Sequence, residues 1–366
     1  VMFLEKLLNA PIIYSFRDLV LLPGLSVVEP DKINLSTRFS KNVKTNIPFA
    51  SSPMDTVTGP ELAIALAQEG GIGIIHRNCS CEDQVSMVKK VKEADVKSEV
   101  AAVDEDGKLV VGAAVSPFDL KRAKALEKYV DVIVIDVAHA HNENVIRATK
   151  KIINEVAVDV VVGNIGTYEA AEEYLTKVEN IAGFRVGIGG GSICITSSVT
   201  KVFASAAFAT ANVAQAVYDY KTDIPIISDG GIRTPGDVAV ALALGASCVM
   251  MGNIFAGCKE SPGKLVILGG NLYKEYYGMA SAKAKAKRMA IDRYSSKKII
   301  EGVEGLVPYR GSIKDVIREF VEGLKVAMGY AGARNIKELW TKAKVGIVTP
   351  LAVKEAAPHD LLVNIW

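Results

Sequence analysis

The chain has 366 residues, 49% of them hydrophobic, with 43 Lys and Arg against 41 Asp and Glu and a formal charge of +2. That balance excludes a protein built for bulk electrostatic binding of nucleic acid or of a membrane surface, and the length supports a sizeable core. Five cysteines, an odd number with no paired CxxC spacing, predict a reduced, cytoplasmic protein; "VMFLEKLLNA" has no signal pattern, and no apolar run reaches the roughly 18 residues of a membrane span.

In chain order, short β-branched runs alternate with segments of helical period. "IPFASSPM" (47–54) precedes the helical "PELAIALAQEG", and "GIGIIH" (71–76) precedes "CEDQVSMVKKVKEA". "KLVVGAAV" (108–115) leads into "PFDLKRAKALEKY", "VDVIVIDVA" (130–138) into "NENVIRATKKIINEV", and "VDVVVGNIG" (158–166) into "YEAAEEYLTKV". "FRVGIG" (184–189) is followed by a small-residue helical stretch, "IPIISDGG" (224–231) by "PGDVAVALALG", and "SCVMMGN" (247–253) closes the series. Strict βα alternation over about 250 residues predicts an α/β chain folded as a (β/α)₈ barrel rather than an open doubly wound sheet. Beyond it, "YKEYYGMASAKAKAKRMAIDRYSSKK" reads as a mobile flap, about 270–310, and "SIKDVIREFVEGLKVAMGY" as a terminal helix. No Pro/Gly/Ser linker divides the chain, so residues 1–366 are predicted to form one domain.

The strand-like runs carry polar or glycine residues at their C-terminal ends, for example Ser51-Ser52, His76, Asp136, Asn164, Gly187–Gly191, Asp229-Gly230-Gly231 and Gly252-Asn253. In a barrel these ends share the catalytic face. "ISDGGIRTPGD" and "VMMGN" follow the last two strands, where glycine-rich loops commonly offer amides to a phosphate. Gly231, Gly252 and Ser192 are therefore candidates to hold a phosphate, and Asp229 to accept from ribose hydroxyls, its alternative being a helix cap. Cys194, in "GIGGGSICIT", sits on a glycine-rich loop suited to a nucleophile; taken alone, a small buried thiol explains it equally well. Cys79, Cys81, Cys248 and Cys258 read as structural.

"SSPMDTV", "GIGIIHRN", "GSICIT", "SDGGIR", "VMMGNIFAGCKESPG", "YYGMAS", "DRY", "EGVEGLVPYRGS" and "PHD", in this order from about residue 10 to 365, strongly resemble the inosine-5′-monophosphate dehydrogenase family, whose barrel is shared by the guanosine-monophosphate reductases. The resemblance implies that Cys194 attacks C2 of IMP, that hydride leaves to NAD⁺, and that water then hydrolyses the Cys194 thioimidate to XMP. It assigns Thr196 to organising the attack and Arg293 and Tyr294 to activating the water, with a proton relay of Thr196 and Glu301 as the alternative to Arg293 as base. It implies that Ser52 and Met54 pack on base and ribose, that Ser192, Gly231, Gly252 and Tyr276 hold the phosphate, that Asp229 binds the ribose, and that Met279 and Glu301 touch the hypoxanthine edge. Asp136 would bind the nicotinamide ribose, with Asn164, Arg185, Gly187 and Gly189 beside it. Backbone carbonyls of Gly189, Gly191 and Cys194 resemble a K⁺ site completed by a neighbouring subunit's Glu355, Ala356 and Ala357. A homotetramer is implied as well.

Three departures stand out. The family usually inserts two regulatory CBS modules where "KEADVKSEVAAVDEDGKLVV" (92–111) makes a short bridge, so CBS-mediated regulation is expected to be absent. After Cys194, "SSVTKVFASAAFATANVAQA" lacks the family's glycine-rich turn, and its alanines predict helix there. Gly190 and Asn253 occupy positions where the family has Pro or Ser, and Ser. An NAD-dependent IMP dehydrogenase is the leading expectation. An NADPH-dependent GMP reductase and a non-catalytic purine-nucleotide-binding paralogue are the alternatives.

Overall fold

Eight parallel strands close into a barrel in the computed structural model, which describes residues 2–278 and 304–363. Strands β1 (Phe49–Ser51), β2 (Ile72–Ile75), β3 (Val111–Val115), β4 (Val132–Ile135), β5 (Asp159–Ile165), β6 (Gly183–Val186), β7 (Ile226–Asp229) and β8 (Cys248–Met251) pair in chain order. Closure comes from β8 against β1, with Val249 opposite Phe49 and Met251 opposite Ser51. Helices α1 (Pro60–Gln68), α2 (Cys81–Glu93), α3 (Leu120–Leu126), α4 (Glu143–Glu155), α5 (Tyr168–Lys177), α6 (Ala206–Asp219) and α7 (Pro235–Ala243) follow the first seven strands.

The segment expected as a terminal helix beyond the barrel is its eighth helix, α8 (Ile313–Tyr330). It packs between α7 and α1, and Phe320 meets Phe49 of β1 edge to face with ring centroids 6.1 Å apart. The helix starts were legible for a local reason. Ser80, Asp119, Asn142, Thr167, Ser205, Thr234 and Ser312 each accept a backbone N–H of the first turn that follows them, satisfying a donor the helix itself cannot.

Alternation along the strands divides the core. Ala50, Ile72, Ile74, Val132, Val134, Val161, Ile227, Cys248 and Met250 fill the barrel interior, with Phe39, Val43 and Ala102 packed against them. Their neighbours Phe49, Ile75, Ile133, Ile135, Val162 and Val249 face the helices. Because side chains alternate with period two, the same parity aims residues 52, 136, 185, 229 and 252 inward at the strands' C-terminal ends.

Between α2 and β3 the chain crosses without any further helix or module. Lys92 on α2 pins this crossing, donating to Asp104 at 2.8 Å and Asp131 at 2.6 Å, while Asp131 also accepts from the amide of Val111. Burial raises the Asp131 carboxyl. Burial would raise Asp104 too, but the bond from Lys92 and the amides of Lys108 and Asp106 outweigh it and hold Asp104 below its ordinary range.

The stretch expected as a flap over 270–310 begins and ends in sheet: Leu265–Leu268, Asn271–Tyr277 and Glu304–Pro308 form an antiparallel three-stranded unit. No helix among the described residues is long and apolar enough to cross a membrane.

Candidate active site

A cavity of about 590 Å³ opens at the C-terminal ends of the strands. Ser52, Met54, Asp136, Asn164, Arg185, Gly187, Gly189, Gly191, Ser192, Cys194, Thr196, Asp229, Gly231, Gly252, Asn253 and Tyr276, all singled out in the sequence, line it together. Met279, Arg293, Tyr294 and Glu301 lie outside the described residues. Glu355, Ala356 and Ala357 end an exposed C-terminal helix (Pro350–Glu355) and do not line this cavity.

Cys194 is the cysteine of the five that reaches the cavity. Burial pushes the thiols of Cys248 and Cys258 up to about 12 and that of Cys79 up to about 11; burial raises Cys81 as well. These four are held as protonated, weakly nucleophilic thiols. The Cys194 Sγ lies 3.2 Å from Thr196 Oγ1. Its amide donates to the carbonyl of Gly191 at 3.0 Å, which closes the loop on itself. Ser197 Oγ reaches the carbonyl of Gly189 at 3.5 Å.

Gly187 is where this loop demands glycine. Its φ is +124°, and a Cβ there would lie 2.7 Å from the carbonyl oxygen of Asp229, so a side chain would meet both backbone strain and a wall. At Gly190 a Cβ would meet nothing within 4 Å, so the departure at that position is sterically neutral.

The alanine-rich run after Cys194 is not one helix. A short helix (Thr196–Thr200) stops at Lys201, which is left-handed with φ of 61°. Ile188 and Ala204 then exchange two backbone bonds, 2.8 and 3.0 Å, and Ser205 caps α6. A turn thus survives without the expected glycine and proline, because pairing to Ile188 of the glycine-rich loop and a capping serine outweigh alanine's helical preference. Ser205 Oγ also donates to the carbonyl of Tyr14. This tie brings in residues the sequence reading missed: Ser15, Phe16 and Arg17 line the cavity. The available signal was local, a serine capping a turn through the Arg17 amide and bonding Asp18.

At the C-terminal end of β8, the Asn253 amide donates to Ser192 Oγ at 3.2 Å. Tyr276, almost fully buried, approaches Gly252 so closely that a Cβ there would sit 2.7 Å from its hydroxyl. Burial raises this phenol, so it stays protonated and able to donate. The grouping of hydroxyl and amide donors suits an anionic ligand.

Across the mouth runs a chain of four charges. Arg77 Nε donates to Asp136 Oδ2 at 3.2 Å and its Nη2 to the Asp136 carbonyl at 3.1 Å. Arg185 Nη1 donates to Asp136 Oδ1 at 3.1 Å and its Nε to Asp229 Oδ2 at 2.8 Å. Room for Arg185 comes from Gly163, where a Cβ would collide with the Arg185 Cβ at 2.6 Å. Asn164 donates from Nδ2 to Asp229 Oδ2 and to the Gly187 carbonyl, both at 2.9 Å. Two acceptors on that side fix the orientation of the amide and leave Asn164 Oδ1 buried without a partner among the described residues. Arg77 was absent from the sequence-based set. It lies one residue past the inward parity of β2, and nothing in its spacing announced a partner on β4.

A family model described as the IMP dehydrogenase / GMP reductase domain matches residues 13–359. The inosine-5′-monophosphate dehydrogenase of Korarchaeum cryptofilum is 42% identical over 461 aligned positions, covering 95% of this chain and 96% of the relative. That of Cryptosporidium parvum is 41% identical over 385 positions, covering 95% of each chain. That of Methanocaldococcus jannaschii is 34% identical over 491 positions, covering 99% and 98%. All three alignments are longer than this chain's 366 residues, so each relative carries residues that it lacks, far fewer in the Cryptosporidium enzyme than in the other two.

Proposed function

The chain belongs to the IMP dehydrogenase / GMP reductase family, and on that premise we propose that it oxidises IMP to XMP through a covalent intermediate on Cys194. The observation that carries this reading is the meeting of Cys194, paired with Thr196 at 3.2 Å, and Asp229, Ser192 and Tyr276 in one cavity. A thiolate at Cys194 adds to C2 of the hypoxanthine. NAD⁺, when bound, takes up the hydride that then leaves C2. Water adds to the Cys194 thioimidate and the thiol departs, so that IMP, NAD⁺ and water become XMP, NADH and a proton. Splitting oxidation from hydrolysis replaces one difficult step by two easier ones.

Ser192, Gly231, Gly252 and Tyr276 would hold the phosphate and Asp229 the ribose, while Ser52 and Met54 would pack on base and ribose, with Met279 and Glu301 at the hypoxanthine edge. For the nicotinamide nucleotide, the unpartnered Asn164 Oδ1 offers an acceptor that a ligand hydroxyl or amide would satisfy. Both oxygens of Asp136 already accept from guanidinium groups, so a ribose at Asp136 would share it with them. Arg185, Gly187 and Gly189 would flank that subsite. The carbonyls of Gly189, Gly191 and Cys194 are oxygen donors of the kind a monovalent cation such as K⁺ takes, and a neighbouring subunit's Glu355, Ala356 and Ala357 would add to them in a homotetramer. A single catalytic domain without regulatory modules accords with the short crossing from α2 to β3.

The test is absorbance at 340 nm with IMP plus NAD⁺ and, separately, GMP plus NADPH, each with and without K⁺. A rise in the first mixture alone is expected; a fall confined to the second would make the chain a reductase. Arg293 and Tyr294 are assigned to activating the water on the strength of "DRY". Arg293→Ala is therefore expected to slow hydrolysis more than hydride transfer. A pre-steady-state burst of NADH that survives while steady turnover drops would bear this out, and a parallel fall of both would count against it.

A further inference from the structure

We propose that Arg77, which the catalytic scheme does not use, is a positioning residue for the substrate's ribose and acts through Asp136 and Arg185. The proposal rests on IMP being the ligand at Asp229. Arg77, Asp136 and Arg185 have relative exposures of 3%, 0% and 6%, so their charges are met by protein groups, including one another and Asp229, rather than by water. Arg185 is shared between two carboxylates, Asp136 Oδ1 at 3.1 Å and Asp229 Oδ2 at 2.8 Å. How it divides itself depends on how strongly Asp136 pulls. Arg77 supplies Asp136 with a second cation at its other oxygen and a bond to its backbone carbonyl. With that demand met, Arg185 can keep Nε on the inner oxygen of Asp229, beside Asn164. Among the described residues both side-chain donors to Asp229 fall on Oδ2, and Oδ1 is the oxygen offered to a ribose hydroxyl.

Arg77 is itself fixed from behind. Arg122 on α3 donates to the Arg77 carbonyl at 3.3 Å and to the Cys79 carbonyl at 2.9 Å, holding the loop after β2. Loss of the Arg77 charge leaves a buried carboxylate short of compensation. Arg185, the neighbouring guanidinium, then turns its planar fork more fully onto Asp136. Asp229 loses its orienting donor and with it the preorganised acceptor for the ribose.

The experiment is calorimetric titration of IMP into wild-type protein, Arg77→Met, Arg77→Lys and the double variant Arg77→Met/Asp136→Asn, each checked for native circular dichroism. Because IMP binding is read alone, any part of Asp136 in holding the nicotinamide nucleotide does not enter. Arg77→Met is expected to weaken IMP roughly tenfold, the scale of one charged hydrogen bond. Arg77→Lys keeps the charge and should stay near wild type. The double variant removes the pull on Arg185 together with its cause and should recover most of the affinity. Recovery is the readout that a merely structural role would not give. If Arg77→Met does not fold, Arg77→Gln, which offers Asp136 a donor without charge, carries the same comparison with Arg77→Gln/Asp136→Asn. Unchanged affinity in the uncharged single variant overturns the proposal, and so does a loss that the double variant fails to recover. Wild-type protein that does not bind IMP overturns the substrate reading itself, and the proposal with it.

Discussion

Cys194→Ala is expected to abolish turnover, by roughly 10⁴-fold or more, while IMP still binds with near wild-type affinity. The thiol is the one cysteine sulfur at the cavity, and no other cysteine can replace it, since Cys79, Cys81, Cys248 and Cys258 do not line the cavity and burial raises all four of their thiols. The ligand's phosphate and ribose would be held by Ser192, Tyr276 and Asp229, none of which needs the sulfur. Alanine fits the loop without strain, because the turn is closed by the Cys194 amide and not by its side chain. Steady-state NADH formation and calorimetric titration of IMP, run on the same preparation, separate the two effects. Retained turnover would remove Cys194 from the chemistry, and a parallel loss of IMP binding would mean that the sulfur holds the loop rather than attacks.

The barrel and much of this site could be read from the sequence because they depend on short-range rules. Alternating βα units force a parallel, covered sheet, capping residues mark the helix starts, and period-two parity places Ser52, Asp136, Asp229 and Gly252 on one face of the barrel mouth. What could not be read was how residues on different strands share their charges. From the sequence Asp136 is an acidic residue at a strand's C-terminal end with no partner indicated, whereas in the fold it is buried between Arg77 of the β2 loop and Arg185 of β6. Those partners lie 59 and 49 residues away, and no local pattern encodes a pairing over such separations. The N-terminal Ser15–Arg17 segment escaped for a similar reason, since its place beside the cavity is set by contacts far along the chain, the bond from Ser205 and the burial of Phe16 in the core with Ile232 and Val238. The turn at 201–205 was obscured by composition: alanine preference pointed to helix, and the Ile188–Ala204 pairing overrode it.

Arg185→Met is expected to be the most destabilising single change in this network, costing on the order of 3–5 kcal/mol, the range for breaking a buried ion pair by removing one partner. Arg185 is the only member of the described chain that touches both carboxylates, Asp136 and Asp229, so its loss leaves two acids short of a cation, where loss of Arg77 leaves one. Methionine fills much of the same space, which confines the effect to charge and hydrogen bonding. Arg185→Lys tests the geometry separately. A lysine carries the charge but is a point donor without the planar fork, so it can favour one carboxylate and not orient both. It should fold with a smaller loss of stability than methionine and still bind IMP more weakly than wild type. Urea unfolding read by circular dichroism gives the stability order, expected to run wild type, Arg185→Lys, Arg185→Met. Equal stability of wild type and Arg185→Met would mean that water or a rearranged neighbour compensates both carboxylates, and the four-charge chain would then have no hold on the fold. If instead Arg185→Lys bound IMP as tightly as wild type, charge alone would suffice at Asp229, and the shared fork between the two carboxylates would lose its role in placing the ribose.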